Sequence, residues 1–172
     1  MKTLLKALVI TVSNRAAAGV YPDKSGPLLA SLLAGDAGCD TVDGPRVVPD
    51  GEPVEAALRA GLAEGYDVIV TTGGTGLTPT DLTPEMTRRV LDREVPGIAE
   101  AVRQANRDKV PASVLSRGLA GQAGRTLVVN LPGSSGGVRD GMAVLAPILR
   151  HAVEQMHGGD HRRPPATTGD MR

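Results

Sequence analysis

The chain has 172 residues, with 19 basic and 19 acidic side chains and two tyrosines as its only aromatic residues. This length predicts one domain, and the lack of excess positive charge and of stacking rings argues against a nucleic-acid partner. A single cysteine excludes a disulfide scaffold, and no apolar run reaches the ~18 residues of a membrane span. We therefore expect a cytoplasmic domain over residues 1–157, followed by a flexible polar tail over residues 158–172.

The first predicted elements alternate between strand and helix. The apolar and β-branched residues 4–12 predict a buried strand. Ser25 is expected to cap a helix that contains the apolar run 28–33. Residues 41–48 then predict a second, weaker strand, and the apolar spacing of residues 53–63 predicts another helix.

The middle of the chain continues this alternation. Residues 67–72 carry no charge after their first position and predict a short buried strand. Thr83 is expected to cap the helix that follows, because a proline stands next to it at the first helical position. Beyond a break at Pro96-Gly97, residues 98–106 predict a further helix.

The last predicted elements complete an α/β pattern. Residues 113–124 fit neither period, and we expect a short hairpin or a loop there. Residues 125–130 predict a strongly buried strand, and residues 138–156 predict a long helix. Three of the predicted strands are apolar on both faces and strands alternate with helices, so we expect a three-layer α/β sandwich with a mainly parallel central sheet.

Polar or glycine-rich residues follow four of the predicted strands. These strand ends are Ser13-Asn14, Asp50, Gly73–Gly76 and Asn130–Gly137. In an open parallel sheet the carboxyl ends of the strands share one edge, and ligands bind beyond that edge. The candidate site is therefore expected where these four segments meet.

The segment Gly73-Gly74-Thr75-Gly76 is the clearest candidate for ligand binding. It is not a Walker loop, because no Gly-Lys-Ser/Thr follows it, and it lacks the third glycine of a dinucleotide fingerprint. Two interpretations remain open: a tight turn, or a loop whose amides face an anion. The second glycine-containing loop, Pro132-Gly133-Ser134, follows another buried strand and favours anion binding.

Two aspartates lie close to the glycine loop in the predicted topology. Asp50 follows one strand, and Asp81 comes five residues after Gly76. Each of them could cap the helix that follows it, which is the common role of an isolated aspartate at such a position. Together they also suit Mg²⁺, which takes one or two carboxylates, keeps water ligands and bridges substrate phosphates.

Several small polar residues at the same edge have two open interpretations. Ser13, Asn14, Ser25 and Gly26 could contact phosphate, or they could serve as caps and turns. Asn130 is expected to hydrogen-bond backbone groups across the sheet. No Gly-x-Ser-x-Gly elbow is present, which argues against a serine hydrolase.

Together these segments resemble the MogA/MoaB family of molybdenum-cofactor biosynthesis proteins, in family order from about residue 8 to 156. The most specific block is TTGGTGLTPTDLTPE, residues 71–85. The GGTG form of the loop favours the adenylyltransferase side over related pterin-handling domains. The other matching segments are residues 12–15 with 19–27, 48–50, 115–117 and 130–133.

The resemblance implies an α/β fold, often trimeric, that binds molybdopterin. Catalytic members transfer AMP from Mg-ATP to the terminal phosphate of molybdopterin and release pyrophosphate, with possible hand-over of the product to a molybdenum insertase. It implies that Asp50 and Asp81 hold Mg²⁺ on the ATP phosphates. The residues it implies for ligand binding are Ser13, Asn14, Ser25, Gly26, Gly73, Gly74, Thr75, Gly76, Thr83, Ser116, Asn130, Pro132, Gly133 and Ser134.

One position departs from the family pattern. The family commonly has Asp after the first serine, where this chain has Asn14. Asn keeps the hydrogen-bonding shape and loses the charge, so the consequence depends on whether the residue caps a turn or assists the metal or nucleotide. Two alternatives to the enzyme therefore stay open: a non-catalytic MoaB-like pterin-binding protein, and a nucleotide-binding module of another pathway.

Overall fold

A computed structural model describes residues 3–159. The predicted tail thus lies outside the described residues except for Gly158 and Gly159. The strands are β1 (Lys6–Val12), β2 (Thr41–Val48), β3 (Val68–Thr72), β4 (Arg93–Glu94), β5 (Ala120–Ala123) and β6 (Thr126–Leu131). The helices are α1 (Asn14–Ala17), α2 (Ser25–Gly35), α3 (Glu52–Ala63), α4 (Thr83–Arg88), α5 (Pro96–Gln104) and α6 (Ser135–Met156), and a 3-10 helix covers Pro111–Leu115.

The six strands form one sheet in the order β2-β1-β3-β6-β5-β4. The first four strands of this order are mutually parallel, while β5 runs antiparallel to both β6 and β4. The pairing of β1 with β2 shifts by one residue between Leu8 and Ile10, opposite Gly44-Pro45. Because β5 is antiparallel, its first residues lie at the edge where the parallel strands end, and this brings residues 116–118 to the predicted site.

Helices cover both faces of the sheet, which confirms the predicted three-layer α/β sandwich. Leucines and valines of α2 and α6 pack with Val9, Val70 and Val129 on one face. Residues of α3 and α4 pack with Leu8 and Ile69 on the other. Strands β3 and β6 are buried along their whole length, as expected of parallel strands covered on both faces. Each fully buried leucine stabilises the fold by roughly 1.5–3 kcal/mol.

Both predicted N-caps are wrong. Ser25 is the first residue of α2, and the Asp23 carboxylate caps this helix by accepting a hydrogen bond from the Gly26 amide at 3.0 Å. Thr83 is likewise the first residue of α4, and its side chain makes no cap hydrogen bond. Thr83 is fully buried, so its hydroxyl bonds to the nearby Asp50 carboxylate instead.

The remaining differences concern short elements. Neither α1 nor β4 was expected, and Pro96 begins α5 rather than separating two helices. In the ambiguous stretch 113–124 the structure has the end of the 3-10 helix, a loop and the single strand β5, and β5 forms a hairpin with β6, which lies outside this stretch. Helix α6 is continuous through Pro147. Across residues 3–159, no helix has both the length and the apolar character needed to cross a bilayer.

Candidate functional site

The two glycine loops lie directly against each other at the carboxyl edge of the sheet. A Cβ added at Gly133 would lie 3.2 Å from the Gly73 Cα atom, so a side chain there would require the two loops to move slightly apart. The Thr72 hydroxyl donates to the Pro132 carbonyl oxygen at 2.8 Å, and the Gly73 amide donates to the Leu131 carbonyl oxygen at 3.0 Å. The Gly73 amide is therefore bonded within the protein. Gly73 and Thr75 are buried, whereas Gly74 and Gly76 are partly exposed.

A cavity lies on each side of these loops. The first, which we call the Tyr21 cavity, has a volume of about 360 Å³ and is bounded by the end of β1, residues 21–25 and the two glycine loops. The second, which we call the apolar cavity, has a volume of about 400 Å³ and is bounded by α5, the 3-10 helix and the start of α6. Ser134 lines both cavities, so they adjoin at a single residue.

Asp50 is held against the glycine loop by three hydrogen bonds to its carboxylate. Oδ1 accepts from the Gly51 amide at 2.8 Å and from the Thr83 hydroxyl at 3.2 Å, and Oδ2 accepts from the Leu82 amide at 3.1 Å. A Cβ at Gly74 would lie 2.4 Å from Asp50 Oδ2. The carboxylate thus occupies the space that the missing side chain of Gly74, at φ +69°, leaves open.

Asp81 lies against the same loop at Gly76, two residues after Gly74. Its Oδ2 accepts from the Thr78 amide at 3.0 Å, and a Cβ at Gly76 would lie 2.8 Å from this oxygen. The two aspartates therefore lie against alternate glycines of one loop. The caps predicted as alternatives are absent, since α3 has no side-chain cap and Asp81 closes a turn.

The donor set of these two aspartates fits Mg²⁺. A carboxylate offers about four lone-pair sites, of which Asp50 uses three and Asp81 one within the protein. Both side chains are partly exposed. Mg²⁺ binds through one or two carboxylates and completes its shell with water and substrate phosphate. Among residues 3–159, no group of three or more His, Cys, Asp or Glu side chains could hold a metal ion.

Arg117 fastens the glycine loop to the turn that contains Asp81. Its amide donates to the Thr75 carbonyl oxygen at 2.8 Å. Its guanidinium donates from Nε to the Gly76 carbonyl oxygen at 2.9 Å and from Nη2 to the Asp81 carbonyl oxygen at 2.7 Å. The remaining nitrogen, Nη1, pairs with Glu85 Oε1. One planar side chain therefore fixes both ends of the segment that leads from Gly76 to Asp81.

Glu85 balances the charge of this arginine. Burial acts to raise the pKa of the Glu85 carboxyl, but the hydrogen bond from Arg117, a backbone hydrogen bond and the charges of Arg117 and Arg88 together outweigh it, so the net pKa lies below its ordinary value. The second carboxylate oxygen, Oε2, is buried and has no hydrogen-bond partner within residues 3–159. Arg117 therefore stabilises the ionised form of Glu85.

Residues 8–151, which contain both cavities and both aspartates, match the sequence profile of the family described as "Probable molybdopterin binding domain". The chain belongs to this family. The resemblance to MogA/MoaB proteins is thereby confirmed. A solved structure of MogA superposes with a TM-score of 0.85 at 55% identity, covering 88% of this chain and 99% of that one.

Curated proteins give the same family context for this MogA/MoaB-type domain. The molybdenum cofactor biosynthesis bifunctional protein of Synechococcus elongatus is 43% identical, over 90% of this chain and 48% of its own length. The molybdopterin adenylyltransferase of Haemophilus influenzae is 39% identical, over 81% of this chain and 72% of its own. The chain spans about half, or less, of the length of several curated relatives that it matches, from 21% to 50%.

Most residues that the sequence nominated lie at one of the two cavities of the MogA/MoaB-type domain. The members of the Tyr21 cavity are Ser13, Ser25, Gly73, Gly74, Gly133 and Ser134. The members of the apolar cavity are Thr75, Gly76, Ser116, Pro132 and Ser134. The sequence predicted a common edge, and the structure divides it into two compartments.

Six nominated residues line neither cavity: Asp50 and Asp81 lie against the glycine loop, and Asn14, Gly26, Thr83 and Asn130 stand behind the cavities. Asn14 Oδ1 accepts from the Asp50 amide at 2.9 Å, so it holds the turn that presents this aspartate. Gly26 is buried against Asp23 and Thr11. Thr83 and Asn130 are buried within the hydrogen-bonded interior of the domain, and Asn130 bonds two threonine hydroxyls there.

The aromatic and basic residues of the two cavities were not identified from the sequence. Tyr21 and Lys24 line the Tyr21 cavity, and Arg103 and Arg139 line the apolar cavity. Arg103 donates to the carbonyl oxygens of Ser116 and Gly118. The segment Tyr21–Lys24 is part of the family motif, and that was the available signal; nothing local distinguishes Arg103 or Arg139 from a surface helical arginine.

Proposed function

We propose that this domain is a molybdopterin adenylyltransferase that uses Mg-ATP. The observation that carries the proposal is the pair of cavities that adjoin at Ser134 and the glycine loops, with Asp50 and Asp81 against the same loop. A transfer between two bound substrates needs this arrangement, because their reacting ends must meet at one place. The likeness to the adenylyltransferase of Haemophilus influenzae supports it.

In the proposed reaction, an oxygen of the terminal phosphate of molybdopterin attacks the α-phosphorus of ATP. A new phosphorus–oxygen bond forms, and the bond from the α-phosphorus to the bridging oxygen of pyrophosphate breaks. Pyrophosphate leaves with that electron pair. The protein supplies no covalent group, so its contribution is to align the two phosphates and to stabilise the developing charge.

Asp50 and Asp81 would hold the Mg²⁺ at the glycine loop, and the ion would neutralise charge on the ATP phosphates. The chain's own part is positional. Asn14 and Thr83 orient Asp50, and Arg117 orients the backbone at Asp81. The side-chain carbonyl oxygen of Asn14 accepts the hydrogen bond from the Asp50 amide. Asn14 stands where the family commonly has Asp, and it keeps this hydrogen bond.

We further propose that the domain works as a homotrimer in the cytoplasm and hands its product to a molybdenum insertase. The family resemblance supports the trimer. The name of the longer Synechococcus relative, a bifunctional protein of the same biosynthesis, is consistent with direct transfer between successive activities. Light scattering of the purified chain tests the trimer, since a monomeric mass would contradict it.

A second candidate is a MoaB-like protein that binds the pterin without turnover. The observation that favours it is the Asp50 carboxylate, whose three internal hydrogen bonds are those of a structural aspartate. In that case both cavities would serve binding alone. Pterin binding that is unaffected by Asp81→Asn, with no nucleotide consumed, would select this alternative.

The test compares wild type, Asp81→Asn and Asp108→Asn with ATP, Mg²⁺ and molybdopterin. Asp108 is the control, an exposed aspartate that follows α5, whereas Asp81 lies against Gly76 of the glycine loop. Adenylylated molybdopterin and pyrophosphate are measured together. We expect both products from wild type and Asp108→Asn, and a rate lower by roughly 10²–10³-fold for Asp81→Asn. Wild-type protein that binds molybdopterin but forms neither product would overturn the enzyme proposal.

A further inference from the structure

The two aromatic rings of this chain have very different surroundings. Tyr66 is 3% exposed, and its hydroxyl donates to Asp43 Oδ2 at 2.6 Å. This hydrogen bond and burial raise the pKa of Tyr66 to about 12. Tyr66 precedes β3, so it lies at the amino edge of the parallel strands, opposite the glycine loops. It is therefore occupied by a structural role away from the candidate site.

Tyr21 is the other ring, and it lines the Tyr21 cavity. Its side chain is 52% exposed. The rest of this cavity is formed mainly by glycine, serine and threonine, which present backbone and hydroxyl groups. These groups can bond to phosphate, but they offer no face to a flat heterocycle. Any aromatic stacking in this cavity must therefore involve Tyr21.

A positive charge accompanies the ring. The Lys24 ammonium lies 5.9 Å from the centroid of the Tyr21 ring and also belongs to the cavity wall. Within residues 3–159, Lys24 forms no ion pair with a carboxylate. Its four-carbon stem is flexible, which lets the charge reach a phosphate placed deeper in the cavity. Asp23 also lines this wall, but its carboxylate oxygens accept hydrogen bonds from the Thr11 hydroxyl and the Gly26 amide. The wall thus combines an aromatic face with a lysine that forms no ion pair in this part of the chain.

We propose that Tyr21 is a specificity residue of the Tyr21 cavity, where its aromatic face binds the heterocycle of a phosphorylated ligand. The heterocycle stacks on Tyr21, and Lys24 contacts the phosphate, whose other side faces the glycine loops. This inference rests on the proposed function only for the choice of ligands, since ATP and a phosphorylated pterin share this chemistry. Tyr21 is on this view a specificity residue: it separates ligands that have a ring from anions that do not.

The experiment measures binding at equilibrium to the full chain by calorimetry. The ligands are ATP, inorganic tripolyphosphate and 6-hydroxymethylpterin phosphate, so that the ring is varied against the phosphate. The variants are Tyr21→Ala, Tyr21→Phe, Lys24→Gln and the control Val20→Ala, a neighbour that is 76% exposed. Circular dichroism of each variant first establishes that it is folded.

We expect Tyr21→Ala to weaken the binding of the ring-bearing ligand that occupies the cavity by about 5-fold or more. Its affinity for tripolyphosphate should not change, because stacking acts on the ring alone. Tyr21→Phe keeps the face and should bind as wild type does. Lys24→Gln should weaken the binding of the ring-bearing ligand and of tripolyphosphate alike. Val20→Ala should leave the affinity for both unchanged. The ring ligand that responds to Tyr21→Ala, the nucleotide or the pterin phosphate, identifies the occupant of the cavity.

Three results would overturn the inference. One is wild-type affinity of Tyr21→Ala for both ring-bearing ligands, and another is an equal loss in Tyr21→Phe and Tyr21→Ala, which would assign the effect to the hydroxyl. The third is wild-type protein that binds neither ring-bearing ligand at millimolar concentration. Failure of the proposed function is distinguishable, because ring-dependent binding without adenylylated product would leave the Tyr21 assignment intact.

Discussion

Arg117 donates a hydrogen bond from Nη2 to the main-chain carbonyl oxygen of Asp81 at 2.7 Å. The same guanidinium donates to the Gly76 carbonyl oxygen at 2.9 Å and pairs with Glu85. Its acceptors lie on separate segments, so the orientation of Asp81 depends on a residue 36 positions later in the chain. The planar fork of arginine suits three acceptors, whereas a lysine ammonium is a point charge on a flexible stem.

Arg117→Lys should therefore lower metal affinity at the glycine loop although it keeps the charge. We expect Mn²⁺, used as a spectroscopic substitute for Mg²⁺, to bind about 10-fold more weakly, because Asp81 loses its fixed position. Electron paramagnetic resonance measures the free ion directly, without any assay of turnover. Arg88→Ala is the control, since Arg88 is an exposed residue of α4 paired with Glu94. Equal Mn²⁺ affinity in Arg117→Lys and wild type would contradict the positioning role.

Gly74→Ala should disturb the site more than its backbone strain alone predicts. A Cβ at Gly74 would lie 2.1 Å from the Thr83 hydroxyl and 2.4 Å from Asp50 Oδ2. Gly19→Ala is a matched control, because φ is +72° there and +69° at Gly74, but nothing lies within 4 Å of the added carbon. The left-handed conformation costs about 1–2 kcal/mol in both variants.

The difference between these two alanine variants therefore reports the clash with Thr83 and Asp50. We expect Gly74→Ala to lose at least about 1 kcal/mol more than Gly19→Ala in urea unfolding, since overpacking typically costs about 1–3 kcal/mol. It should also lose measurable Mn²⁺ binding, which Gly19→Ala should retain. Equal unfolding free energies for the two variants would show that the loop yields without displacing the aspartate.

Asn130 should prove to be a structural residue and not a ligand contact. Its Nδ2 donates to the hydroxyls of Thr71 at 2.9 Å and Thr87 at 3.0 Å, and its Oδ1 accepts from the Leu119 amide at 3.1 Å. Asn130→Ala leaves these buried partners unsatisfied, so we expect a loss of about 2–4 kcal/mol in the free energy of unfolding. Ligand affinity of the folded fraction should stay within about twofold. A large affinity loss with unchanged stability would restore the binding role.

Cys39 should be unreactive in the folded protein. Burial raises the pKa of this thiol from 9.0 to about 11, and the nearby Arg150 only partly opposes the shift. The thiolate is the reactive form, so a disulfide reagent should react slowly at pH 8 and faster as the pH rises. In guanidinium chloride, reaction should be immediate. Stoichiometric modification of native protein within seconds at pH 8 would contradict this picture.

The same shift makes stability pH-dependent. The unfolded thiol ionises near pH 9 while the folded one keeps its proton, so stability falls as the pH rises from about 9 towards 11. At pH 10 the loss is about 1 kcal/mol relative to pH 8. Cys39→Ala lacks this contribution, so the difference between wild type and Cys39→Ala in urea unfolding should change by that amount. A difference that is constant with pH would show that the thiol is not perturbed.

Much of the fold was predictable because its signals are local. β1, β3 and β6 are continuous apolar runs, and the two glycine loops follow β3 and β6 directly. The role of Thr83 was not predictable, because its partner Asp50 lies 33 positions earlier in the chain. The cap of α2 was a local signal, since Asp23 lies only three residues before Gly26, and the sequence analysis assigned it to Ser25 instead.

The sequence by itself determined the fold class, the family and the edge of the sheet where polar strand ends meet. These follow from patterns of a few consecutive residues, which constrain burial and backbone geometry. Only the tertiary structure decided that this edge divides into two cavities at Ser134, that Tyr21 lies at one of them, and that Arg117 fixes Asp81. These contacts join residues that lie tens of positions apart in the chain. Arg117 reaches Asp81 because β5, which follows Arg117, runs antiparallel to β6.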